Sequence, residues 1–202
     1  MKLMQKKVSL IILYVITVTV FGCREIAVPK PRGHFRIDMP EHKYTIFNGQ
    51  EVKGDNLPFS FEYPEIGKLS FNEAYENEKG WFNIEFPAYR ASLYLTYRDI
   101  NHDFNELMEQ TYKMNIKNHI SKADAISEKL FNDNNNKVYG ILYDLKGNTA
   151  TAVQFYMTDS TRHFLRGSLY FASEPDADSL EPVIGYFRED IIHLIETLRW
   201  KQ

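Results

Sequence analysis

The chain has 202 residues and a mass of 23.7 kDa, with 44% hydrophobic and 25% charged side chains, a mixture that buries a core and excludes global disorder. Its net charge of −3 and pI near 6.1 offer no basic excess for electrostatic binding of nucleic acid. The single cysteine excludes an internal disulfide and a Cys-rich zinc site, and an aromatic share of 14% favours β structure.

The N-terminus reads first as an address. Lys2, Lys6 and Lys7 precede an uncharged, mostly aliphatic run from Val8 to Phe21. A basic start followed by a short apolar run predicts a signal peptide over residues 1–22, whereas a membrane span needs about 20 apolar residues. The competing reading is a transmembrane anchor. Val20-Phe21-Gly22-Cys23 resembles a bacterial lipobox. That resemblance implies cleavage before Cys23 and diacylation of its thiol, and two acyl chains anchor a protein stably where one does so marginally. Residues 1–22 hold three of the 24 basic side chains and no acid, so residues 23–202 carry 21 basic against 27 acidic groups, a net −6. Such a body is expected to stand off from an anionic membrane surface.

Residues 23–56 read as an extended tether. Pro29, Pro31 and Pro40 block a helix and push their predecessors toward extended geometry. Polyproline-type chain spans about 3.1 Å per residue. The segment is locally basic, through Arg24, Lys30, Arg32, Arg36 and Lys43. It is either a solvated linker or a contact for lipid headgroups or an envelope partner, with Arg32, Gly33, Phe35 and Arg36 as the interaction candidates. Phe35, Ile37 and Met39 alternate with polar residues, a short strand pattern that would dock on the body.

A single globular domain is expected over residues 57–202. Strands are predicted at Phe59–Tyr63, Trp81–Phe86 and Ala91–Tyr97, the last with Leu93, Leu95 and Tyr97 on one face and Tyr94 on the other. Asp103 and Glu106 suggest a capping box opening a helix that runs to about Asn118. Four further strands follow: Ile126–Phe131, Lys137–Leu145, Thr149–Met157 and His163–Phe171. Their short polar turns, Asn132–Asn136 among them, predict an antiparallel meander. Leu180, Val183, Ile184, Phe187, Ile191, Leu194, Ile195 and Leu198 keep helical spacing, with Asp178 or Ser179 as N-cap and Pro182 in the first turn. The fold class is therefore α+β, a predominantly antiparallel sheet with helices packed on it. The order of elements resembles the PsbP/Mog1-like architecture, an analogy of fold that carries no function.

Motifs of chemistry are scarce. The chain has no G-x-S-x-G, P-loop, G-x-G-x-x-G or H-E-x-x-H string. None of its six histidines shares a metal-ligand spacing with another, so no metal and no cofactor is expected. His193 is off the apolar stripe of the last helix and belongs at its polar boundary. Asn132–Asn136 lacks the glycine and closing glutamate of a calcium loop. Glu62, Glu65, Glu73, Glu76 and Glu78 read as a solvated face. Arg166, in a predicted strand, is expected to pair with Asp144 or Glu189. Asp159-Ser160-Thr161 and Asp178-Ser179-Leu180 resemble an O-glycosylation acceptor motif, which makes Ser160 and Ser179 candidate modification sites.

Several longer strings carry a family resemblance. They are Pro29–Asp38, Lys137–Gly140, Tyr143–Asn148, Val153–Ser160, Phe164–Phe171, Arg188–Ile191, His193-Leu194 and Glu196–Leu198. In order and spacing they resemble the gliding motility lipoprotein GldD family of Bacteroidetes, with His34 where an aromatic residue would be expected. The resemblance implies a cell-envelope lipoprotein required for gliding motility and the linked type IX secretion machinery, without enzymatic activity. It implies partners among other gliding and secretion components. The location expected is the periplasmic face of the outer membrane, since Arg24-Glu25 after the cysteine is no clear surface-export signal. The alternative is a ligand-binding or glycan-acting envelope lipoprotein, which would need a pocket with convergent polar groups.

Overall fold

The computed structural model describes residues 38–51, 56–71, 80–117, 119, 121–147, 149–172 and 177–201. The expected signal peptide, Cys23 and the interaction candidates Arg32, Gly33, Phe35 and Arg36 lie outside them, as do Glu73, Glu76 and Glu78.

Period-two alternation of apolar residues generates most of the strands. In chain order these are β1 (Tyr44–Phe47), β2 (Phe59–Pro64), β3 (Lys68–Ser70), β4 (Trp81–Phe86) and β5 (Ala91–Asp99). Helix α1 (Phe104–Tyr112) follows, continued by a π-helical segment, Lys113–Lys117. Then come β6 (Ala125–Asp133), β7 (Val138–Lys146), β8 (Thr151–Thr158), β9 (His163–Phe171), α2 (Ala177–Thr197) and β10 (Arg199–Trp200). Seven strands form one antiparallel sheet in the order β3-β4-β5-β9-β8-β7-β6, and a second sheet has the order β1-β2-β10. The α+β architecture and the four-strand meander are as expected, and α2 carries the apolar stripe foreseen for it.

Register places each side chain on one of two faces. Across the large sheet Leu142, Phe155, Gly167, Leu95 and Phe82 form one cross-strand row. This row and its neighbours pack against Val183, Phe187, Ile191, Leu194 and Ile195 of α2 in the main core. Gly167 is required here, because a Cβ at that position would lie 2.2 Å from the ring of buried Phe155. The small sheet closes the same core. Phe47 stacks on Phe61 at 4.8 Å and on Phe82 at 5.0 Å, joining the two sheets through aromatic rings. On the opposite face α1 covers β7, β8 and β9 through Leu107, Ile116, Tyr143, Leu145, Tyr156 and Phe164.

Four expectations change. The body begins before residue 57, since β1 pairs with β2 along its length and Phe47 is fully buried at 0% exposure. Of the short strand expected at Phe35, Ile37 and Met39, the first two residues lie outside the described ones, and Met39 packs against the core. The Asp103 carboxylate caps no helical N–H and instead accepts from the backbone of Asn101 at 2.8 Å. Helix α2 starts at Ala177, so Asp178 and Ser179 are inside it and Pro182 falls in its second turn. Arg166 does not pair with Asp144, whose partner is Arg188 at 2.8 Å. Parity explains the last point: Asp144 opposes Val153 on the α2 face, whereas Arg166 opposes Tyr156 and Thr96 on the other.

Phe47→Ala should cost about 3–5 kcal/mol of stability, the usual loss for a buried phenylalanine. Urea denaturation measures it. A chain beginning at residue 57 should lose cooperative unfolding in the same assay.

Candidate functional site

Two clusters of side chains stand out, one on each side of the molecule. The first is a groove on the face of the large sheet that α1 leaves uncovered. Register lines up Trp81, Thr96 and Arg166 across β4, β5 and β9. The next row holds Asn83, Tyr94 and Ser168, and the one after it Glu85, Ser92 and Tyr170. Large and small side chains therefore alternate like a checkerboard, and the small ones form notches. All of them except Asn83 and Glu85 line a cavity of about 530 Å³, within the range of ligand and side-chain pockets.

The walls of this groove are aromatic and wet. Tyr94 is 47% exposed, and Trp81 and Tyr170 are each 37% exposed. The rings of Tyr94 and Tyr170 stand at 89° with centroids 5.4 Å apart, an edge-to-face pair. Met114, presented by the π-helical segment after α1, overhangs the groove. Such wide helical turns recur at functional sites.

Arg166 forms the floor. Its Nη1 contacts the Met114 sulfur at 3.2 Å, a weak acceptor, and no carboxylate pairs with it among the described residues. Burial, followed by the nearby positive charge of Arg98, pushes its pKa below the usual arginine range. A half-buried guanidinium with no counter-charge is an unbalanced element in a chain with net negative charge. No histidine, carboxylate or cysteine lines the cavity.

The second cluster fastens the start of the described chain to α2. His42 Nδ1 meets Asp190 Oδ1 at 2.7 Å, and Tyr44 donates its hydroxyl to the same oxygen at 3.1 Å. His42 Nε2 faces Glu189 at 3.3 Å. The His42 ring stacks on Tyr186 at 4.3 Å, and Tyr44 stacks on His193 at 3.7 Å. His193 in turn meets Glu62 of β2 at 2.6 Å, which puts it at the polar boundary of α2 and gives Glu62 a partner. Asp190 is 3% exposed. Burial raises its pKa, and the bonds and charges of His42 and Tyr44 act in the opposite sense.

Ser160 is exposed in the β8–β9 turn, in the left-handed region at φ 66°. The turn is built by its neighbour Asp159, whose Oδ1 accepts from the backbone of Thr161, Arg162 and His163 at 2.7–2.9 Å. Burial alone would raise the Asp159 pKa, but these N–H donors outweigh it and hold it at about 2. The side chain of Ser179 lies outside the described residues. Among the described residues no group of three or more His, Cys, Asp or Glu side chains is arranged to hold a metal ion. No helix among them is long and apolar enough to cross a membrane.

Sequence reading missed both clusters. The latch joins residues 148 apart, a pairing invisible to local periodicity. The groove had a signal in the outward-facing Tyr94, which needed the strand order to become a site.

Two outcomes follow from this geometry. His42→Ala should cost about 1–3 kcal/mol at neutral pH by leaving Asp190 short of a partner, read by thermal or urea unfolding. The depressed Asp159 pKa contributes stability above the ordinary aspartate pKa of 3.8, lost as pH falls toward about 2. Asp159→Asn should therefore be less stable by on the order of 2 kcal/mol at neutral pH. Its deficit should close between about pH 4 and pH 2.

Comparison with curated proteins finds no match to this chain. Among solved structures it is similar to the solution structure of cyanobacterial PsbP (CyanoP) from Synechocystis sp. PCC 6803. The two share 10% identity over 85% of this chain and 99% of that one, with a TM-score of 0.47. The family model for gliding motility lipoprotein GldD matches residues 24–200. That match spans nearly everything after Cys23, and the chain belongs to the GldD family of gliding motility lipoproteins.

Proposed function

We propose that this lipoprotein is a non-catalytic interaction component of the cell envelope, required for gliding motility and for the linked type IX secretion machinery. Cys23 carries the lipid, the chain between it and Met39 serves as the leash, and the body hangs on the periplasmic face of the outer membrane. There it docks other gliding and secretion components, so the membrane partner is met through the acyl chains and the protein partners through the body. Arg32, Gly33, Phe35 and Arg36 remain contact candidates on the leash, and Ser160 and Ser179 remain candidate glycosylation sites. The observation that carries this reading is the groove: Trp81, Tyr94, Tyr170, Met114 and Arg166 are the residue types that dominate binding hot spots. The alternative, a ligand-binding or glycan-acting lipoprotein, draws its support from the volume of the same cavity.

Cys23→Ala in the full-length chain should fold with an unchanged melting temperature, leave the membrane fraction and fail to restore gliding to a null strain. Full restoration of gliding by that variant would remove the anchor from the account. Crosslinking in intact cells, with a tagged functional copy, should recover gliding or secretion subunits.

A further inference from the structure

Beside α1 the large sheet presents Arg166, to which no carboxylate pairs among the described residues, inside an aromatic frame. We propose that the groove between β4, β5 and β9 recognises an extended peptide segment of a partner, seating an Asp or Glu carboxylate on Arg166 and apolar side chains between Trp81, Tyr94 and Tyr170. This names the partner chemistry of the interaction role proposed above and rests on it.

Charge comes first. Among the described residues the polar contact of Arg166 is the Met114 thioether, and Arg98, another cation, acts on it. A planar guanidinium offers a fork of N–H donors matched to a carboxylate, which it binds through two parallel hydrogen bonds. Residues 23–202 carry net charge −6, so a local pair of arginines is the feature that would draw an acidic segment to this face rather than to the rest of the body.

Dimensions come next. The groove crosses three strands, about 10 Å at the usual spacing, and runs from Ser92 to Thr96, about 13 Å of strand. Three or four residues of extended chain fit those lengths. Thr96 separates Trp81 from Arg166 in one row and Ser168 flanks Tyr94 in the next, so a notch for an apolar side chain adjoins the cation.

Ring geometry separates a peptide from a sugar. A flat platform for several sugar rings would set the aromatic faces in one plane. Tyr94 and Tyr170 stand at 89° to each other, a corner that receives a branched or aromatic side chain. Met114 on the wall adds a flexible, polarizable surface of the kind that adapts to side chains of different shape.

The test is selection of a random displayed heptapeptide library on the detergent-solubilised full-length protein, followed by synthesis of the leading peptide and its acid-to-amide counterpart. Enriched peptides should place Asp or Glu beside an aromatic or aliphatic residue. On the wild-type protein the acid form should bind at least tenfold tighter than the amide form, a comparison that needs no variant. Arg166→Met should abolish that preference while leaving the amide form unchanged, and Tyr94→Ser should weaken both forms. Winners without an acid, equal binding of acid and amide, or an acid preference that survives in a folded Arg166→Met protein would overturn the proposal. An oligogalacturonate hexamer that binds and depends on Arg166, with no peptide enriched, would overturn it in favour of an acidic glycan. The binding assay uses no motility readout, so failure of the motility role would show in complementation and not here.

Discussion

Everything on the groove side of this molecule depends on one geometric constraint: a strand buries every second residue, and the intervening residues must go somewhere. In the large sheet one parity builds the core with α2 and the small sheet. The other parity is covered, among the described residues, by α1 and its π-helical extension. Those elements run from Phe104 to Lys117, about 21 Å of helix. A sheet of seven strands is about 29 Å wide. Even laid straight across, the helix falls short. It covers β7 to β9, and Met114 near its end reaches Arg166, while Tyr94 and Tyr170 beyond it are exposed.

The composition of that uncovered zone sets it apart from an ordinary solvated sheet face. Outward positions on a half-exposed sheet are commonly polar. Here Trp81, Tyr94 and Tyr170 occupy three of them, and no carboxylate pairs with the central cation among the described residues. The core beneath is held rigid by packed rings, with Phe155 lying over Gly167, so the strands that display these residues have little freedom to rearrange. A stiff sheet presenting an aromatic and cationic array is preorganised, and preorganisation lowers the entropy lost on binding.

Strands β4 and β5 were legible because their alternation is clear, β9 because a short polar turn precedes it, and α2 because its apolar residues keep one stripe. The short elements were not. Tyr-Thr-Ile-Phe in β1 follows a proline-rich, charged stretch whose composition hides it, and Arg199-Trp200 in β10 is too brief to show a period. Both are strands because β2 offers them an edge, which is a tertiary fact. Asp103 looked like a helix cap by spacing, yet its carboxylate is captured by Asn101 two residues before it, a local competition that a pattern of residue types does not resolve. The partner of Asp144 was misjudged for want of face parity: Arg188 reaches it from α2, and Arg166 points the other way. His42 and Asp190 were each ordinary in sequence and become a unit only when β1 and α2 are brought together.

That latch has a mechanical meaning. Asp38 to Tyr44 is the stretch through which the N-terminal chain joins the body. Tension arriving from that side loads Met39 on the core and the His42–Asp190 contact before the β1–β2 ladder that follows in sequence. The order of loading is thereby built in. The contact held on the long helix takes strain ahead of the aromatic seam around Phe47.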